Sequence, residues 1–159
     1  MAAFNPGAGG TLKSTTLEAI AVEAALALQN QERDKTTTDV TFNNIAVSFF
    51  TGDNVVTVQA VLPFTASFVN GQVALRATDY IGVPFTGGGD LQATTLPEAV
   101  IELFQRLQNV EKTQAEAGDK VQVSYNTETG IATINAELPV SYSVAADGSV
   151  SVNAVSYLA

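Results

Sequence analysis

Glu23 and Glu102 are the residues of this chain whose placement most invites chemistry. They occupy matched positions in two similar stretches, TTLEAIAVEAALALQN (15–30) and TTLPEAVIELFQRLQN (94–109). Two carboxylates sharing a site are the equipment of acid–base glycoside hydrolysis. On a helical wheel, however, both fall about 240° from the start of the apolar stripe, which predicts glutamates on a solvent-facing surface. The sequence contains no histidine and no cysteine. That composition removes the usual general base near neutral pH, the commonest metal ligand, and every Ser-His or Cys-His nucleophile. A serine nucleophile would need a lysine partner, and Lys13, Lys35, Lys112 and Lys120 lie near element ends.

Other candidates are weaker. Asp53-Asn54 and Asp147-Gly148 resemble fragments of calcium loops but lack the alternating acids and closing bidentate glutamate, so they read as turns. Gly87-Gly88-Gly89 is followed by no Gly-Lys-Ser/Thr, so it does not form a phosphate cradle. Tyr80 and Tyr157 lie just beyond the last apolar position of their strands and read as rings closing a core edge. The expectation is a protein that is not an enzyme, with no catalytic, cofactor-binding or metal-binding residues and no cofactor.

The elements that carry these residues repeat. The helical stretches sit 79 positions apart (94 − 15), and each has an apolar stripe at helical spacing, Leu17, Ile20, Ala21, Ala24 and Leu28 in the first and Leu96, Ala99, Val100, Leu103 and Leu107 in the second. Ser14 to Thr16 supplies the first N-terminal cap, and Pro97 suits the first turn of the second helix. Strand alternation follows, with Ile45, Val47 and Phe49, and then Val56, Val58, Ala60, Leu62 and Phe64, on inward parity. Val47-Ser48 answers to Val123-Ser124 and Leu62-Pro63 to Leu138-Pro139, at an offset of 76 (123 − 47). Asn70-Gly71 and Asp147-Gly148 mark tight hairpins. Pro63 and Pro139 fall on outward parity, where a proline favours an edge or a break in the strand.

The predicted fold is α+β, a tandem duplication of a helix-plus-three-strand unit (α-β-β-β twice) with helices packed on antiparallel sheet and pseudo-twofold symmetry. The predicted organisation is an extended N-terminal arm (1–13), a first repeat (14–82), a Gly-rich linker (83–93) and a second repeat (94–159). One copy alone buries too little apolar surface to be comfortable, so the two should share one core.

Hydrophobic residues make up 46% of the chain and charged residues 14%, which excludes a disordered polymer. A net charge of −9 repels a phosphate backbone, so nucleic acid is not an expected partner. No apolar run approaches the roughly 18 residues of a membrane span, and the N-terminus lacks a signal-peptide pattern. No membrane insertion is expected, and the chain as synthesised is expected in the cytoplasm.

The copies differ where they face outward. Leu26 pairs with Gln105, Ala19 with Glu98, Ala27 with Arg106, Phe50 with Asn126 and Val61 with Glu137. In each pair the first copy is the apolar one. Phe4, Val22, Leu26, Ala27, Phe50 and Val61 are therefore the candidate interface, with Phe4 on the glycine-rich arm. The functional expectation is a non-enzymatic structural subunit of a larger assembly, such as a virion, in which it would be a capsid-decorating or tail-associated component. It would self-associate or bind other subunits of that assembly. The alternative is a module that binds a small ligand or peptide in a cleft between the repeats.

Overall fold

The computed structural model describes residues 12–34, 44–69, 72–77, 89–113 and 120–154. In chain order these form α1 (Leu17–Asp34), β1 (Ile45–Phe50), β2 (Val55–Val69), β3 (Gln72–Ala77), α2 (Leu96–Lys112), β4 (Val121–Asn126), β5 (Ile131–Val144) and β6 (Val150–Ala154). Two helices and an antiparallel sheet make the fold α+β.

Four strands run in the order β1-β2-β5-β4, with β3 paired to β2 and β6 to β5. The central pair is β2 against β5, from Val55↔Pro139 to Pro63↔Ile131, with Gln59 opposite Asn135 at its middle. Ile45 faces Ala60 on one flank, and Val121 faces Ala136 on the other. The long strands do not break at their prolines as the sequence suggests; they change partner there. β2 pairs with β1 through Ala60 and with β3 from Phe64, so Pro63 sits between the two. The Val61 N–H donates to Asn44 O at 2.8 Å, and two residues later the same side of the strand has no ladder for Pro63 to interrupt. Pro139 stands likewise between the stretch of β5 that pairs with β4, through Ala136, and the stretch that pairs with β6, from Val140.

Strand alternation decides which face meets the helices. Val56, Val58, Ala60, Leu62 and Phe64 of β2 and Ala132, Ile134, Ala136, Leu138 and Val140 of β5 are all buried. They join one cluster with Ile20, Ala24 and Leu28 of α1 and with Val100, Leu103, Phe104 and Leu107 of α2. At about 1.5–3 kcal/mol per fully buried large aliphatic side chain, this one-sided layer is the main source of stability. The turns are set by local chemistry. Asn54 (φ 55) and Gly130 (φ 65) both adopt left-handed backbone. Their carbonyls accept from Val140 N–H (2.7 Å) and Phe64 N–H (2.8 Å), which stitches each turn to the neighbouring long strand. A Cβ on Gly130 would stand 3.0 Å from Phe64 O, so a side chain there would be crowded as well as strained in φ.

The helix starts differ in one instructive way. Thr95 caps α2 with a full capping box: its Oγ1 accepts from Glu98 N–H at 3.3 Å, and Glu98 Oε2 accepts from Thr95 N–H at 3.2 Å. At α1, Thr16 Oγ1 accepts from Ala19 N–H at 3.2 Å, but alanine cannot return the second bond. Ala19→Glu is expected to complete the box and raise stability by about 0.5–1 kcal/mol, read as an upward shift of the urea midpoint. An unchanged midpoint would mean that the glutamate does not reach the cap backbone.

Candidate functional site

The carboxylates that looked most like chemistry are committed to the main chain. Glu23 Oε1 accepts from Lys13 N–H at 2.9 Å, and its Oε2 accepts from Ser14 N–H at 2.8 Å. Glu102 Oε2 accepts from Gln92 N–H and Ala93 N–H, both at 2.9 Å. The wheel angle predicts solvent for both residues. The structure corrects this: the segment before each helix folds back along it, anchored by buried Leu12 and Leu91, and its N–H groups find the glutamate one to two turns in. Arg106 adds to the second latch, donating to Glu102 Oε1 at 2.5 Å and to Asp90 O. Carboxylates whose oxygens accept from main-chain donors organise the segment that leads into each helix.

A second matched pair of glutamates, Glu32 and Glu111, lies just past Asn30 and Asn109. Both are buried, at 4% and 3% exposure. β1 and β4 are the outer strands of the four, so one side of each has no ladder among the described residues. Val121 sends its N–H to Glu111 Oε2 (3.1 Å), and its carbonyl accepts from Gln108 Nε2 (3.2 Å). Ile45 sends its N–H to Glu32 Oε2 (3.3 Å), and its carbonyl accepts from Gln29 Nε2 (3.2 Å). Each helix thus presents a Gln and a Glu three positions apart, on one face, to cap the first residue of an edge strand. The signal in the sequence is QNQE (29–32) against QNVE (108–111).

The candidate interface residues do not form one surface. Leu26 is exposed on the outer side of α1, with half-buried Ala27 beside it. Phe50 (69% exposed) and Val61 (42%) lie on the sheet face away from the helices, so the two groups point in opposite directions. Val22 belongs to neither: it is buried in the core cluster, as is Ile101 79 positions on. α1 packs against both the sheet and α2, so its buried arc is wider than one stripe. Phe4, Tyr80, Tyr157, Gly87, Gly88 and Asn70-Gly71 lie outside the described residues.

The helix-free sheet face has a regular pattern. Phe50, Val55 and Pro139 stand in one cross-strand row at one end, and Pro63 and Ile131, with Val61 next to them, stand at the other. The middle rows carry Ser48, Thr57 and Glu137, then Gln59, Asn135 and Gln122. A shallow cavity of about 370 Å³, lined by Ser124, Tyr125, Asn126, Thr129, Ile131 and Thr133, lies at the β4–β5 end. Its walls come from the second half of the chain alone, so it is not a cleft between halves.

Asp53-Asn54 and Asp147-Gly148 are turns. Ser149 donates both its hydroxyl (2.6 Å) and its N–H (2.9 Å) to Asp147 Oδ1. These two bonds, the hydroxyl's the larger effect, hold that carboxyl below the ordinary aspartate range. Among the described residues no three acidic side chains converge to hold a metal ion, and no helix is long and apolar enough to cross a membrane. Comparison with family models, with curated proteins and with solved structures gives no match to this chain.

Proposed function

We propose that this chain is a non-enzymatic structural subunit of a larger protein assembly, of the kind a virion is built from as a capsid-decorating or tail-associated component. The observation that carries the reading is the exposure of apolar residues on both faces of the first half. Leu26 is exposed on the helix side, and Phe50 and Val61 on the sheet side. The equivalent positions 105, 126 and 137 hold Gln, Asn and Glu. A two-layer protein with apolar residues exposed on opposite faces is suited to contact neighbours on both sides. The matched carboxylates favour the same reading, because they are spent on holding backbone.

The proposal includes a tandem duplication, with residues 14–82 and 94–159 related by a pseudo-twofold axis between Gln59 and Asn135. The offset of 76 that relates the strands maps Gln59 onto the residue it faces, and maps Ile45↔Ala60 onto Val121↔Ala136. The Glu23 and Glu102 latches, the Glu32 and Glu111 edge caps and the left-handed residues 54 and 130 correspond in the same way. An axis there brings the midpoints of α1 and α2 together.

Light scattering on the full chain at low micromolar concentration tests the assembly reading. Self-association is expected, weakened by Leu26→Glu and by deletion of residues 2–10. A clean monomer whose behaviour neither change alters would remove the support for contacts through the first half and the arm.

A further inference from the structure

Resting on that reading, we infer that the helix-free face of the sheet is a homodimer interface, its occupant a second copy of the same face. Three observations select a second copy.

The first is charge. Across residues 45–50, 55–63, 121–126 and 131–139, Glu137 is the only charged side chain on the helix-free face. The whole chain carries −9, so two copies repel through most orientations, and this face, with a single charge, is where they can approach. A basic partner would select an acidic face instead. Glu137 sits off the middle row, in the row that ends on Lys120, whose carbonyl accepts from Glu137 N–H at 2.8 Å.

The second is pattern. Along the strand direction the face reads apolar, polar, apolar: Phe50, Val55 and Pro139, then Ser48, Thr57 and Glu137, then the amides of Gln59 and Asn135, then Val61 beside Thr133, then Pro63 and Ile131. With apolar residues at both ends and amides at the centre, the pattern is self-complementary apart from Glu137, which answers to Val61. Laid on a copy of itself at the roughly −30° of aligned sheet packing, it sets apolar ends on apolar ends and brings amides, which both donate and accept, against amides.

The third is size. β2 and β5 pair over nine residues, about 30 Å, and β1 and β4 over six, about 20 Å, so four strands about 4.8 Å apart present about 490 Å². Two copies would cover about 1,000 Å², the lower end of a specific interface.

Sedimentation velocity of the full chain from 1 to 100 µM, with the double variant Gln59→Glu/Asn135→Glu, tests the inference. Both residues are exposed in the chain, and because they face each other across β2 and β5 the two carboxylates should lower the melting temperature modestly while circular dichroism stays that of the wild type. In the isologous dimer four added carboxylates meet, and the dissociation constant should rise by about 100-fold or more. Gln122→Glu, on the same face at the edge, should give a smaller rise. A dimer that persists unchanged in the double variant overturns the inference, and if Leu26→Glu dissolves that dimer, only the sheet face is lost and the assembly reading stands. A wild-type chain that is monomeric at 100 µM overturns this inference and self-association together.

Discussion

Replacing Phe104 by alanine is expected to cost about 3–5 kcal/mol, the range for truncating a fully buried aromatic, read as a fall in the urea midpoint at unchanged slope. Phe104 is 0% exposed and sits at the middle of α2. Its counterpart 79 positions earlier, at the middle of α1, is Ala25, also 0% exposed. Phenylalanine at both positions would overfill the space where the proposed axis brings the helix midpoints together, and alanine at both would leave a void. Ala25→Phe alone should therefore destabilise by about 1–3 kcal/mol through overpacking. The informative variant is the exchange, Ala25→Phe with Phe104→Ala. If the two side chains share one volume across the axis, the exchange should recover at least half of the loss of Phe104→Ala, a coupling seen only between residues in contact. Losses that simply add would separate the two positions and remove the pseudo-twofold arrangement of the helices.

The parts of this fold that were legible in the sequence depend on near neighbours along the chain. Alternation in Val56, Val58, Ala60, Leu62 and Phe64 predicts the buried face of β2 because side chains alternate sides whatever the strand pairs with. The stripes of Leu17–Leu28 and Leu96–Leu107 predict the helices for the same reason. What was not legible depends on partners far away. Parity marks Phe50 and Val61 as outward, and the wheel marks Leu26 as outward, but neither says that these directions are opposite. Only the docking of both helices on one face of the sheet decides that. Val22 sits at an outward wheel angle and is buried nonetheless, because α1 meets two neighbours and not one. Pro63 and Pro139 signal a strand break correctly as far as one side of the ladder is concerned; the strands continue because the opposite side, between β2 and β5, remains intact. Glu23 and Glu102 could not be assigned from their helices alone, since their donors come from the segment that precedes each helix.

Removing Glu111 should have the next largest effect. Glu111→Ala is expected to cost about 2–4 kcal/mol, since a buried charge-assisted acceptor is lost and its donors stay behind. Those donors are the N–H groups of Lys120 and Val121, both 3.1 Å from the carboxylate. Val121 is 2% exposed, so water cannot readily replace the glutamate there. Glu111→Gln keeps the shape and one accepting oxygen but turns an NH2 toward the second donor, and should cost about half as much. Glu32 provides the internal control. Its Oε2 accepts from Ile45 N–H at 3.3 Å, whereas its Oε1 has no hydrogen-bond partner among the described residues, so Glu32→Ala should cost less than Glu111→Ala. Urea midpoints give the ranking, and amide exchange locates it: Val121 N–H should lose protection in Glu111→Ala by more than the global change in stability accounts for. A Glu111→Ala variant within about 0.5 kcal/mol of wild type, the margin of an ordinary surface change, would mean that the edge of β4 is held by packing alone. The Gln and Glu shared by the two helix ends would then have no part in closing the edges of the sheet.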